Sequence, residues 1–149
     1  MFSKACEYGI KASIYIAQQS LQNKLTNLKT IANEIDSPEA FTAKILQKLV
    51  KNKILDSVKG AKGGFLIEEI RIDQISLGDI VCAIDGDSIY TGCGLGLKEC
   101  NAHKPCPIHN KIVLVRKELE KMLSGTNLYE LANGLEVGAT YLNRSERVL

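Results

Sequence analysis

Three of the five cysteines and both histidines lie between Cys93 and His109, a run of seventeen residues with no helical or strand rhythm. The spacing is C-x6-C-x5-C-x2-H. Structural zinc sites favour C-x2-4-C knuckles, because one short turn aims two thiolates at one small ion. Gaps of six and five residues make a wider ring of sulfurs, better matched to a cluster of several irons. Gly92, Gly94 and Gly96 would let the backbone fold closely over inorganic sulfide, while Pro105 and Pro107 stiffen the approach to Cys106 and His109. Thiolates are the usual iron–sulfur ligands, and an imidazole in place of one raises the reduction potential. Lys98 and Lys104 are placed to favour the thiolate form. An iron–sulfur cluster is the favoured reading; a zinc ion and a metal-free thiol sensor stay open beside it. Cys–His nucleophilic catalysis is disfavoured, since nothing nearby supplies an oxyanion site or a substrate cleft. Cys82, in Ile80-Val-Cys-Ala-Ile84, is expected to be an inert core thiol, and Cys6 a structural one.

No apolar run approaches a membrane span, and the first residues carry Lys4 and Glu7 where a signal would be hydrophobic. A cytoplasmic protein is expected. Thiols stay reduced there, and an odd cysteine count argues further against a disulfide framework.

The elements that must position the loop are read from hydrophobic spacing. The chain has 149 residues, 45% hydrophobic and 24% charged, enough for one domain with a real core. Ser3 can cap a first helix in which Ile10, Ile14 and Ala17 repeat on one face. Asn27 caps a short second helix with Leu28, Ile31, Ala32 and Ile35 apolar. Ser37-Pro38, a capping side chain before a proline, predicts a third helix from Pro38 to about Asn52. Its buried side would be Phe41, Ile45, Leu46 and Leu49; its outer side would be Glu39, Thr42, Lys44, Gln47, Lys48 and Lys51. Two short helices closely joined, the second basic on its outer face, describe a helix-turn-helix.

Ile54–Lys59 and Phe65–Ile67 read as strands around Gly60-Ala-Lys-Gly-Gly64, a hairpin wing tipped by Lys59 and Lys62. The glycines permit positive φ and close approach to a phosphate. They do not match the Walker pattern, so a nucleotide loop is discounted. A further helix is expected over 73–84, then a long one over 109–123 with Ile112, Val115, Leu119, Met122 and Leu123 on one side. Val113 and Leu114 widen that face beyond what a lone surface helix needs, which favours pairing with a second chain over burial within one. Asn127 and Glu130 suggest a capping box for a last helix, and the polar tail past Tyr141 is expected to be loose. The fold class is mainly α with a small β-hairpin wing: a winged helix-turn-helix plus a long dimerisation helix. Its parts are 1–84 for DNA, 85–107 for the cysteine loop, and 108–149 for dimerisation and the C-terminal segment.

The net charge of +2 hides a sharp asymmetry. Phe41 to Lys62 carries six lysines and one acid, Asp56; Glu68 to Cys100 carries seven acids against Arg71 and Lys98. The first stretch suits a polyanion and the second does not. A helix fits the major groove while a hairpin straddles the adjacent backbone. Lys44, Lys48, Lys59 and Lys62 are expected on phosphates, and Glu39, Thr42 and Gln47 on base edges. One winged domain is a small interface, so a homodimer on a pseudo-palindromic double-stranded DNA operator is expected, its half-sites a whole number of helical turns apart.

Together these residues resemble the iron–sulfur-type winged helix-turn-helix transcriptional regulators of bacteria, the group that includes IscR and NsrR. The resemblance covers nearly the whole chain. Pro38-Glu-Ala-Phe-Thr-Ala-Lys-Ile-Leu-Gln-Lys-Leu49 resembles the recognition helix, and Ser57-Val-Lys-Gly-Ala-Lys-Gly-Gly-Phe65 the wing. It implies a regulator, not an enzyme, dimeric through the long helix and sensing iron–sulfur, redox or nitric oxide status. It maps the cluster ligands onto Cys93, Cys100 and Cys106. His109 completes a 2Fe–2S site, favoured over 4Fe–4S. Some relatives instead take an acidic ligand from the first helix; the match is Glu7, with His109 preferred. His103 matches no family ligand. The first gap is one residue longer than in the best-known cluster binders, which bears on cluster type and on whether the isolated protein holds a cluster. Other members lack the cysteines, so a cluster-free regulator controlled by a partner protein or by thiol oxidation is the alternative.

Overall fold

Ser3 starts the first element as its type predicts: its hydroxyl accepts the Cys6 N–H, and α1 runs over Lys4–Leu21. Asn27 does the same at the Thr30 N–H for α2, Leu28–Glu34. The third helix begins one residue later than the sequence suggests. It spans Glu39–Lys51 as α3, with Pro38 at the cap position and no side-chain cap. The Ser37 hydroxyl is taken instead by Thr42, 2.6 Å away. The computed structural model describes residues 1–144. Of the expected loose tail, Leu142 packs against the core, and 145–149 lie outside the described residues.

The wing forms from β1 (Asp56–Val58) and β2 (Gly64–Leu66), antiparallel, with Ser57 opposite Phe65. Thr26 adds an isolated bridge beside β2: its N–H donates to the Phe65 carbonyl at 3.2 Å and its carbonyl accepts the Phe65 N–H at 2.8 Å. The helix expected over 73–84 is two pieces, α4 (Glu69–Ile72) and α5 (Leu77–Asp85). The cause is local. Ser76 and Asp79 form a reciprocal capping box that fixes a helix start at Leu77.

One turn, α6 (Ser88–Thr91), interrupts the segment before the cysteines. The long helix α7 covers His109–Gly125 and α8 covers Leu128–Glu136. Only half of the expected box forms at α8, with Asn127 accepting the Glu130 N–H at 2.9 Å. The flanking backbone is held across to α5 by Leu77 N–H to the Thr126 carbonyl and Leu128 N–H to that of Ile75. The core is continuous from Ile16, Ile31 and Leu46 through Ile80 and Val81 to Leu123 and Leu128, so α8 folds back on α1. Phe41, expected inside, is a third exposed and meets Tyr8 edge-on at 5.6 Å. Among the described residues no helix is long and apolar enough to cross a membrane.

Candidate nucleic-acid interface and thiol loop

A helix advances 100° per residue, so positions spaced by three and seven share a face. Ile45, Leu46 and Leu49 anchor the inner side of α3. Lys44, Gln47 and Lys51 consequently form one exposed stripe opposite. Lys51 belongs with the other two by that spacing, although it was not among the expected contacts. Glu39 is exposed in the first turn of α3. Thr42 is a correction. It is fully buried, donating to the Pro38 carbonyl at 2.8 Å, and cannot reach a base edge. Lys48 is exposed along its stem, yet its ammonium donates to the Ile84 carbonyl at 2.8 Å and so points towards α5.

The wing tip presents Lys59 and Lys62, both exposed. Two glycines there are sterically required. A Cβ on Gly63 would lie 2.0 Å from the Val58 carbonyl oxygen, and one on Gly64 would lie 2.5 Å from that of Thr26. The one acid of the basic stretch is neutralised where it stands: Arg71 pairs with Asp56 at 3.3 Å and also donates to the Lys53 carbonyl. The positive potential of stripe and wing is therefore little offset from within.

The thiol loop places its donors in two pairs. Cys93 accepts the Leu95 N–H at 3.4 Å. Its thiol is held below the ordinary cysteine range, first by that N–H, then by the Leu97 N–H, the Cys106 thiol and the Arg116 guanidinium. Cys100 Sγ lies 3.4 Å from His109 Nδ1, and Arg116 donates to the same sulfur at 3.4 Å. The cation acting on Cys93 is thus Arg116, where Lys98 and Lys104 were expected. His103 donates its backbone N–H to Asn101 and leaves its side chain exposed. Glu7 is exposed on the first turn of α1 and pairs with Lys4 at 3.3 Å. Among the described residues, no three His, Cys, Asp or Glu side chains converge tightly enough to hold one metal ion.

The remaining cysteines divide differently from expectation. Cys82 is exposed, not a core thiol, because Ile80, Val81 and Ile84 occupy the inner face of α5 and turn it outward. Cys6 is buried. Burial, followed by the charge and hydrogen bond of Asp85, pushes its thiol up to about 12, so it is protonated at neutral pH.

Residues 2–134 match the family model described as Rrf2, iron-dependent transcriptional regulator. A protein of Aquifex aeolicus named as an HTH-type transcriptional regulator is 30% identical over 136 residues, 89% of this chain and 92% of that one. IscR of Erwinia tasmaniensis is 25% identical over 130 residues, 87% of this chain and 77% of that one. Among solved structures, CymR, the global cysteine regulator of B. subtilis, superposes with a TM-score of 0.71 at 23% identity, over 89% of this chain and 96% of that one.

Proposed function

The chain belongs to the Rrf2 family of transcriptional regulators, and we propose that it acts as a cytoplasmic homodimer whose DNA affinity follows the state of its thiol loop. Members of the family are DNA-binding regulators, not enzymes. The single observation that carries the reading is the exposed stripe Lys44, Gln47 and Lys51 beside a wing tipped by Lys59 and Lys62. In this arrangement the lysines neutralise phosphates and release counterions, and Gln47 reads a base edge in the major groove, helped by Glu39. Residues 1–84 carry this task, 85–107 the loop, and 108–149 the pairing of chains. Val115 and Met122, both exposed on α7, line the proposed seam between protomers.

The loop's donor set suits an iron–sulfur cluster in kind: three thiols of partial exposure, two of them served by Arg116, with an imidazole alongside. Cys93, Cys100 and Cys106 would hold it, with His109 as the fourth ligand or Glu7 in its place, and 2Fe–2S as the favoured form. The bound group supplies sensitivity to oxidants and nitric oxide. The chain's own part is to favour the thiolate form: the Leu95 and Leu97 amides and Arg116 do so at Cys93. Bringing the Cys93–Cys106 and Cys100–His109 pairs together around one group requires the loop to close, and that closure gives the two states different interactions. Each 1.4 kcal/mol of difference, roughly, is a tenfold change in affinity.

The second reading is a cluster-free regulator answering to thiol oxidation, favoured by the hydrogen bond between Cys93 and Cys106. Anaerobic purification with an absorption spectrum and iron and sulfide counts separates the two. Colourless protein without iron, even after reconstitution, rules out the cluster. Failure to bind any duplex at low salt, tested over a selected library, rules out the interface.

A further inference from the structure

The last turn of α5 is wedged between the first helix and the recognition helix. Ile84 lodges against Gly9 so closely that a Cβ there would lie 1.9 Å from Ile84 Cδ1 and 3.4 Å from Ile45 Cγ2 of α3. A side chain at Gly9 of α1 would displace the Ile84 tip from this seat. The Ile84 carbonyl is among those a helix end leaves without an intrahelical partner, and Lys48 of α3 fills that vacancy at 2.8 Å. The next residue, Asp85, accepts the Ser3 N–H at 3.1 Å and the Ser3 hydroxyl, with the buried Cys6 thiol as a third donor. Gly86 then turns the chain out at φ 72°, ψ −155°, a conformation open to glycine, and the thiol-loop segment follows. Two residues thus join the root of the loop to both helices that set the reading stripe.

We propose that Lys48 is a positioning residue, not a phosphate contact: its bond to the Ile84 carbonyl couples the state of the cysteine loop to the placement of the recognition helix. Three observations agree on this. Lys48 lies one turn from Lys44 on the outer face of α3, but its ammonium is already engaged at 2.8 Å, the carbonyl it holds lies at the loop's root, and Ile84 is buried between α1 and α3. Displacing Asp85 and Gly86 when the loop closes moves the Ile84 carbonyl, and the charge-assisted bond carries that movement to α3. The coupling role rests on the sensing function proposed above; the denial of a phosphate contact does not.

The test uses full-length Lys48→Met, which keeps the apolar stem and removes the donor, with Lys48→Arg as rescue and Lys44→Met as reference. Circular dichroism melts establish that each variant is folded. Duplex affinity is then measured across a salt series, for iron-free protein and for protein reconstituted with iron and sulfide. Lys48→Met should keep the wild-type salt slope, whereas Lys44→Met should be shallower by about 0.9 per protomer. Lys48→Met should also bring the loaded-to-empty affinity ratio close to one, from the roughly 5- to 150-fold typical of coupled sites, and Lys48→Arg should restore it. A slope shallower by the Lys44 amount makes Lys48 a phosphate contact and overturns the proposal. An unchanged ratio in Lys48→Met overturns the coupling. Wild-type protein with equal affinity loaded and empty refutes the sensing function and the coupling with it, while the slope still decides whether Lys48 touches DNA.

Discussion

The proposed dimer seam can be put to a quantitative trial through Val115 and Met122. Val115 is 57% exposed and Met122 46% exposed in the single chain, on the same side of α7 as the half-buried Ile112 and Leu119. Fully burying a side chain of this size contributes about 1.5–3 kcal/mol. With about half of each in water, covering the remainder contributes roughly 1 kcal/mol apiece. A twofold-symmetric pair presents four such side chains, so their burial supplies about 4 kcal/mol, near three powers of ten in the dissociation constant. The double variant Val115→Asp, Met122→Asp removes that contribution and also sets carboxylates against one another across the seam. Leu123, fully buried on the inner side of α7, keeps the helix attached to its own core, so the variant should stay folded. Sedimentation equilibrium should then show the dimer dissociation constant rising at least about a thousandfold, and binding to a two-half-site operator weakening with it. A double variant that dimerises as tightly as the wild type would refute the seam, and a monomeric wild type would refute the dimer.

Four further outcomes are expected. Gln47→Ala should relax preference at one base pair per half-site by about 1–3 kcal/mol in a randomised-operator selection. Thr42→Val should leave that preference intact, because Thr42 is buried, and cost about 1 kcal/mol of folding stability in urea titration through its lost bonds to Pro38 and Ser37. Gly63→Ala should open the wing hairpin, since its Cβ would lie 2.0 Å from a backbone oxygen; weaker duplex binding alongside faster proteolysis between β1 and β2 is the readout. Cys6 should resist alkylation in the native protein at mildly alkaline pH while exposed Cys82 reacts. Its folded-state value near 12 lies above the ordinary 9.0, so the stability it contributes is complete below about pH 9 and is lost as pH rises towards 12. Denaturation midpoints across that range, wild type against Cys6→Ala, check the sign.

Much of the fold was legible because its signals are local. Ser3 and Asn27 cap the helices their types predict, and the glycines of the wing mark a turn that tolerates no side chain at Gly63. Two of the misreadings, at the start of α3 and in the 73–84 segment, share one cause: a group with two candidate partners. Ser37 was free to cap α3 but found the Thr42 hydroxyl, and the 73–84 segment broke where Ser76 and Asp79 satisfied each other. Thr26, in a stretch that reads only as a connection, became an isolated bridge to the wing strand β2.

The sequence by itself determined the class of the molecule: apolar periodicity, caps and glycine turns act over a few residues and leave little choice of element. It also determined the donor types in the loop and the clustering of lysines between Phe41 and Lys62. Tertiary structure alone decided which of those groups are available for chemistry. It buried Thr42, exposed Cys82, turned Lys48 towards α5, and brought Arg116 to Cys100 from sixteen residues away. The physical reason is that a side chain's partners are set by which helices pack together, and a polar group released from water bonds to whatever that packing brings within reach.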